Sequence, residues 1–357
     1  MSTLVDGPVR EPRSAPAVGT PVLELHDVDV EIPLPSGRLH AVRGVSLTAY
    51  AGQALGLVGE SGSGKSLTLR AAMDLLPSPA VITGGSVVVA GTDVTGMRPA
   101  QRREHISSTM AMIFQDALTA LNPTMRIGDQ VAEVPRQRLG MSRTEARARA
   151  LDLLAQVGIR DPEQRYRAFP HELSGGMRQR VCIAIALSAE PGLILADEPT
   201  TALDVTIQKQ VLDVLGRLRR DDGVGLVLVT HDLAVVSSTC SELDVMYGGR
   251  VVEEGATEVL LSAPRHPYTA ALLRSVPDPD APVHRLLTIP GAPPDLLQPI
   301  GGCAFAPRCP AVVDRCRTER PPLMPLSAGH TSACWRAHEP QEWPGQVGEA
   351  AVEGVHG

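Results

Sequence analysis

The sequence predicts an α/β fold built on a parallel sheet, and three observations carry that prediction. Gln53-Ala-Leu-Gly-Leu-Val58, Leu193-Ile-Leu-Ala196 and Leu226-Val-Leu-Val229 are short apolar runs of buried-strand type. Helical stretches lie between them, and the runs end in polar residues, where such sheets place their ligands. The first run passes straight into a glycine-rich loop and then a helix from about Lys65 to Leu76.

The remaining elements follow in order. Val22 to Val30 alternates apolar and polar residues as a half-buried strand does. Pro33, Pro35 and Gly37 make a turn, and Ala41 to Thr48 is a second strand. Val87 to Ala90 is another. Residues 100–170 are expected to be largely helical, with the charges of Arg143 to Arg149 on a solvated face. Seven prolines between Pro277 and Pro299 mark a linker. A cysteine- and proline-rich segment follows from Gly301 to about Trp335. Residues 1–21 and 341–357 have the composition of flexible tails, and no internal repeat is visible.

Length and composition bound the function. At 357 residues the chain holds about two domains of roughly 150 residues. Its 43 % hydrophobic content suffices for a sizeable core. With 33 basic against 40 acidic residues the net charge is −7, which argues against a nucleic-acid coat; at 3 % aromatics, stacking platforms are also disfavoured. No apolar run approaches the ~20 residues needed to span a bilayer, and the N-terminus lacks the apolar region of a secretory signal. A soluble, cytosolic protein is expected, free to dock on a membrane protein. Its six cysteines suit reduced or metal-bound thiols better than a secreted disulfide framework. Only two of the basic residues are lysines, Lys65 and Lys209.

One of those lysines lies in Gly59-Glu-Ser-Gly-Ser-Gly-Lys-Ser66, which fits G-x-x-x-x-G-K-[ST] in its required strand–loop–helix context. Gly59, Gly62 and Gly64 allow successive backbone N–H groups to curl around phosphate oxygens at a helix N-terminus. Lys65 is expected to reach the β- and γ-phosphates and Ser66 to ligate Mg²⁺. Ser61, Ser63 and Leu67 complete the expected nucleotide contacts. A second element, Leu193-Ile-Leu-Ala-Asp-Glu198, is an apolar strand ending in two carboxylates. Asp197 would hold Mg²⁺ and Glu198 would polarise an attacking water, although paired acids before Pro199 and Thr200 also suit a helix N-cap.

Leu173-Ser-Gly-Gly-Met-Arg-Gln179 resembles the signature motif of ATP-binding cassette (ABC) ATPases. Gln115 in Ile113-Phe-Gln-Asp116 matches the family's Q-loop, Ala202-Leu-Asp204 its D-loop, and His231 in Thr230-His-Asp232 its switch histidine. Singly these residues suit a surface glutamine, a strand-end histidine or a plain helix cap. Their order makes the resemblance specific. It implies a P-loop ABC cassette over 22–262: a RecA-like core, an antiparallel β subdomain and a helical subdomain at about 116–175. It further implies that two cassettes pair head to tail around two ATP molecules. Ser174, Gly175 and Gly176 would then cap the partner's ATP, and Asp204 would link the two sites. Glu198 would be the general base, Gln115 would sense Mg²⁺ and the water, and His231 would hold the γ-phosphate. The family's adenine-stacking aromatic has no counterpart, since Ile32 occupies the matching position; His40 could substitute.

Further segments narrow the branch. Asp116-Ala-Leu-Thr-Ala-Leu-Asn-Pro123, Pro264-Arg-His-Pro-Tyr-Thr269, Ile289-Pro-Gly-Ala-Pro-Pro-Asp-Leu296 and Gly302-Cys-Ala-Phe-Ala-Pro-Arg-Cys-Pro310 resemble stretches of oligopeptide/dipeptide/nickel importer ATPases. That resemblance implies a C-terminal extension over 263–340, with a four-cysteine segment at 301–335. It implies uptake powered through two transmembrane permease subunits, fed by an extracytoplasmic solute-binding protein. A second, related cassette subunit would complete the assembly at the cytoplasmic face of the membrane. Cys303, Cys309, Cys316 and Cys334 follow the spacing C-x5-C-x6-C-x17-C, and four thiolates in a small segment can be tied by a metal. The resemblance implies a [4Fe–4S] cluster there; zinc, or reduced or disulfide-linked thiols, are the alternatives. Cys182 and Cys240 are expected as small buried residues.

Competing classes fit less well. A DNA-maintenance ABC protein would want a long coiled-coil or zinc insertion between Gln115 and Leu173 and a basic face, whereas the interval here is short and the chain is acidic. A translation-factor ABC protein would hold two cassettes in one chain. A catalytically dead subunit would not be expected to keep both Glu198 and His231. Nickel or another small solute stays open as cargo.

Overall fold

Strand β1 (Pro21–Leu34) buries Val22, Leu23, Leu25, Val28 and Val30, and pairs antiparallel with β2 (Gly37–Tyr50) on one side and β4 (Val81–Val89) on the other. The computed structural model describes residues 17–115, 120–200, 205–275 and 289–339. A short β5 (Thr92–Asp93) completes a sheet of order β2-β1-β4-β5. The β1–β2 ladder runs further than alternation suggested, to Leu34 opposite Gly37. Pairing with β4 stops at Glu31, so Pro33, which has no N–H to give, lies beyond it.

The second sheet holds the apolar runs. Strands β3 (Ala54–Val58), β6 (Met110–Ile113), β7 (Leu193–Asp197), β8 (Gly225–Val229) and β9 (Glu242–Tyr247) are parallel, in the order β9-β3-β8-β7-β6. β3, β7 and β8 are buried at every residue, as strands covered on both faces must be. Strand β6 lies within the stretch expected to be largely helical. Its sequence, Met-Ala-Met-Ile, has neither alternation nor length to separate a strand from a helix turn.

Helix α1 (Lys65–Ala72) leaves the phosphate loop and stops short of the expected Leu76, where Asp74 takes a left-handed φ of 56°. Helix α2 (Pro99–Ser107) precedes β6. Then α3 (Ile127–Arg138), α4 (Arg143–Gln156), α5 (Pro162–Tyr166) and α6 (Gly175–Leu187) form a helical layer around Ile127, Val131, Leu153, Leu154, Val181 and Ile183. A capping box of Ser142 and Glu145 starts α4, which turns Ala146 and Ala150 inward and its charges out. Helices α7 (Val205–Asp222) and α8 (Leu233–Thr239) follow β7 and β8.

The C-terminal portion is anchored on the second sheet. β10 (Arg250–Ala256) runs antiparallel to β9, and β11 (Met324–Ser327) and β12 (His330–Ser332) continue past it, with Glu253 opposite Ser332. Helices α9 (Thr257–Ser262), α10 (Pro267–Arg274) and α11 (Asp314–Thr318) lie between these strands in sequence. Buried Glu253 ties the region together: its carboxylate accepts the His266 N–H at 3.0 Å and meets His330 Nε2 at 2.9 Å. Residues 1–16, 276–288 and 340–357, which include the tails and much of the proline-rich linker, lie outside the described residues. Among the described residues no helix is long and apolar enough to cross a membrane.

Candidate active site

The end of β3 builds the first part of the site. Gly59 has φ 151°, and a Cβ there would meet the Met246 carbonyl oxygen at 2.2 Å. Gly64 caps α1 with φ 105°, and a Cβ would stand 2.7 Å from the Ala41 carbonyl oxygen. Neither position admits a side chain, so the loop curls tightly against β2 and β9. Ser61 and Gly62 are exposed at its crest, Ser63 is buried, and Leu67 is half-buried on α1. Lys65 Nζ donates to the carbonyls of Gly59 (2.7 Å) and Glu60 (2.9 Å) and to Ser63 Oγ (3.3 Å). Burial lowers the Lys65 pKa, opposed by the carboxylates of Glu198, Asp197 and Glu60.

Strand β7 brings the carboxylates to this loop. Ser66 Oγ donates to Asp197 Oδ1 at 2.7 Å, and burial raises the Asp197 pKa against that bond. Glu198 turns away from the strand with a left-handed φ of 47°, its N–H donating to the Val229 carbonyl of β8 at 2.9 Å. Such a conformation in a residue with a Cβ costs of order 1–3 kcal/mol and is held by its surroundings. Here it turns the side chain into a junction. Gln115 Nε2 donates to Glu198 Oε2 at 2.9 Å, and His231 Nδ1 lies 3.5 Å from Glu198 Oε1. Gln115 follows β6 and His231 follows β8, so three neighbouring strand ends converge on one carboxylate. The His231 side chain is 67 % exposed and faces solvent. Asp232 fixes the turn beside it by capping α8 through Ala234 and Val235.

Hard oxygen donors suit Mg²⁺, and Ser66 Oγ beside Asp197 Oδ1 is such a pair, with the Gln115 side chain close by on Glu198. The signature residues stand elsewhere. Ser174 caps α6, its Oγ accepting the Met177 N–H at 3.4 Å. Ser174 and Gly175 are exposed, while Gly176 packs so closely on α7 that a Cβ would meet Ile207 at 2.8 Å. These contacts are with α6 and α7 rather than with the phosphate loop. Asp204 lies outside the described residues. Ile32 is half-buried on β1, and His40 on β2 pairs with Glu31 at 3.1 Å.

Three residues of the site were missed from sequence. Glu60, second in the phosphate loop, receives a two-pronged ion pair from Arg308 and gives its N–H to Tyr268 Oη at 2.7 Å. Tyr268 and Arg308 belong to two of the three C-terminal stretches that carry the importer resemblance, but nothing in the spacing assigns them to a site far away in sequence.

The expected [4Fe–4S] cluster is not supported. Among the described residues no three Cys, His, Asp or Glu side chains are grouped so as to hold a metal ion. Cys303, Cys309, Cys316 and Cys334 share a neighbourhood, with the Cys303 N–H donating to the Cys316 carbonyl at 2.8 Å, but all are free thiols. Cys316 and Cys334 are buried, and Cys303 and Cys309 pack against the apolar core. Burial pushes the Cys303 thiol up, Cys309 to about 11 and Cys334 to about 12. Spacing had brought the residues together in sequence without orienting their sulfurs. Cys182 and Cys240 are buried, as expected.

Comparison with known proteins places this geometry. Residues 42–201 match the ABC transporter family, and residues 252–316 match the oligopeptide/dipeptide transporter C-terminal region. The probable peptide ABC transporter ATP-binding protein y4tR of Sinorhizobium fredii is 44 % identical over 320 residues, covering 89 % of this chain and 96 % of that protein. The chain belongs to the ABC transporter ATPase family. The dipeptide transport ATP-binding protein DppD of Escherichia coli is 43 % identical over 313 residues, covering 88 % of this chain and 96 % of the relative. Among solved structures, the ATP-binding cassette MJ0796, a dimer bound to ADP and Pi after hydrolysis, superposes with a TM-score of 0.60 at 28 % identity. It covers 66 % of this chain and 98 % of its own. The α/β cassette expected from the motifs is therefore the fold this ATPase has.

Proposed function

We propose that this cassette binds and hydrolyses ATP to power uptake of di- or oligopeptides across the cytoplasmic membrane. The observation that carries the catalytic part is Glu198, held by Gln115 and near His231, beside the Ser66–Asp197 pair at the mouth of the phosphate loop. The peptide assignment is supported by the relatives, which are named for peptide and dipeptide transport, and by the matched C-terminal region.

In this reading Lys65 presents its ammonium to the β- and γ-phosphates, and the loop residues Gly59 and Ser61 to Leu67 bind their oxygens. Ser66, Asp197 and Gln115 would hold Mg²⁺, which when bound neutralises charge on the phosphate oxygens. Glu198 accepts a proton from the attacking water, with Gln115 orienting its carboxylate. His231 reaches the γ-phosphate from the exposed side. Ser174, Gly175 and Gly176, exposed or partly so at the start of α6, close over the ATP of a second cassette, and Asp204 links the two sites.

Residues 22–262 act as the cassette, with its helical part at about 116–175, and 263–340 as an extension that includes the four-cysteine segment. The partners are a related cassette subunit, two transmembrane permeases and an extracytoplasmic solute-binding protein. The protein would then lie on the cytoplasmic face of the membrane. Isolation from native membranes, followed by reconstitution of the co-isolated permeases in vesicles, tests this. ATP-dependent accumulation of a di- or oligopeptide is expected; accumulation of nickel instead of peptide would contradict the cargo.

A further inference from the structure

The guanidinium of Arg308 has no spare donor nitrogen. Its two terminal nitrogens grip Glu60, NH1 to Oε2 at 2.7 Å and NH2 to Oε1 at 3.0 Å. NH1 also donates to Tyr247 Oη (3.2 Å), NH2 to the Ile289 carbonyl (3.0 Å) and Nε to the Pro290 carbonyl (2.9 Å). The Arg308 side chain is 3 % exposed and Glu60 25 %. A planar fork matched to a carboxylate in a largely desolvated setting is among the more directional contacts a protein makes. Beneath it Tyr247, Tyr268 and Phe305 form an aromatic cluster, with ring centroids 4.4 to 5.5 Å apart. Glu60 is held through three groups: its carboxylate by Arg308, its N–H by Tyr268, and its carbonyl by Lys65.

We infer that Arg308 is a positioning residue for the phosphate loop, through which the C-terminal extension sets the affinity of the cassette for nucleotide. The inference rests on the nucleotide site proposed above and adds a determinant outside the ABC motifs. Two effects act together. The fork fixes the loop backbone next to Gly59, and it neutralises a carboxylate that would otherwise stand unpaired beside a polyanion. Without Arg308, Glu60 becomes a fixed negative charge at a phosphate site.

The second effect separates positioning from mere attachment of the extension. In the full-length chain, the dissociation constant of MgATP is measured for wild type, Arg308→Met, Glu60→Gln and the double variant, with melting temperature as a control. Arg308→Met is expected to weaken binding on the order of tenfold, the scale of one uncompensated charge near the protein surface. Glu60→Gln weakens it less, and the double variant binds like Glu60→Gln, so that removing the carboxylate rescues the loss of the arginine. Equal affinity of wild type and Arg308→Met, or a double variant weaker than either single one, would overturn the inference. Where Arg308→Met does not fold, Glu60→Gln decides: unchanged affinity overturns it. Failure of the wild type itself to bind MgATP would instead contradict the proposed nucleotide site.

Discussion

Ser66 and Asp197 stand 131 positions apart in sequence and share a hydrogen bond of 2.7 Å. The bond joins the start of α1, which follows β3, to the end of β7, and β3 and β7 flank β8 in the parallel sheet. It sets the distance between the phosphate loop and the carboxylates, and Glu198 is the next residue in the chain.

Lys65→Arg should abolish most ATPase activity although it conserves charge. The ammonium sits among two carbonyls and a hydroxyl inside a loop closed by Gly59 and Gly64, and a guanidinium is too broad for that enclosure. A fall in phosphate release of about a hundredfold or more is expected, the scale of losing one key electrostatic donor. Near-wild-type turnover would contradict it.

The missing adenine-stacking aromatic has a consequence for nucleotide choice. Ile32 is only partly buried, and the His40 ring is engaged with Glu31. An aromatic stack contributes ~1–3 kcal/mol per base in nucleic-acid sites whichever base is stacked, so doing without one weakens purine binding without creating a preference between adenine and guanine. KM values for ATP and GTP should lie close together, and a strong preference for either nucleotide would sink this expectation.

Asp244 is a buried carboxyl in β9, opposite Glu254 of β10. Burial holds its pKa well above the ordinary value of 3.8, and Glu254 and Glu242 push the same way. The folded state therefore keeps a proton that the unfolded state has lost, so stability falls as pH rises above 3.8 towards the folded pKa. Asp244→Asn should raise the melting temperature at pH 8 by roughly 2–4 °C for each kcal/mol recovered, and by less at pH 5. A gain independent of pH would show that the charge is not the cause.

His266 works in the opposite direction. Fully buried beside Glu253, with Nδ1 accepting the Tyr268 N–H, it has its pKa lowered from 6.5 to about 4, burial outweighing the carboxylate. The neutral ring is favoured in the folded state, so its contribution is present above pH 6.5 and is lost as pH falls towards 4. Melting of wild type should decline more steeply over that window than melting of His266→Gln. Parallel curves would contradict the assignment.

What was legible in the sequence was local. The run from Gln53 to Ser66 contains its own strand, turn and helix start, so both the fold class and the phosphate loop could be read from contiguous residues. The Asp197–Glu198 pair was visible as a strand end, but its contact with Gln115 depends on β6, a four-residue strand with no periodicity to show it. Glu60 and Arg308 lie 248 positions apart, and no pattern in either neighbourhood points to the other. The cysteines failed as a metal site for a related reason. Spacing counts residues, whereas coordination needs sulfurs that converge on one point, and among the described residues no three such side chains do.

If Glu198 is the base of a working ATPase, replacing it by glutamine should separate binding from turnover. Glu198→Gln keeps the length of the side chain and a carbonyl oxygen, but removes the carboxylate that accepts the proton. MgATP binding and phosphate release are measured together on the purified chain. Affinity is expected within a few-fold of wild type and turnover reduced at least ~100-fold, the scale of general-base contributions. Unchanged phosphate release would contradict it.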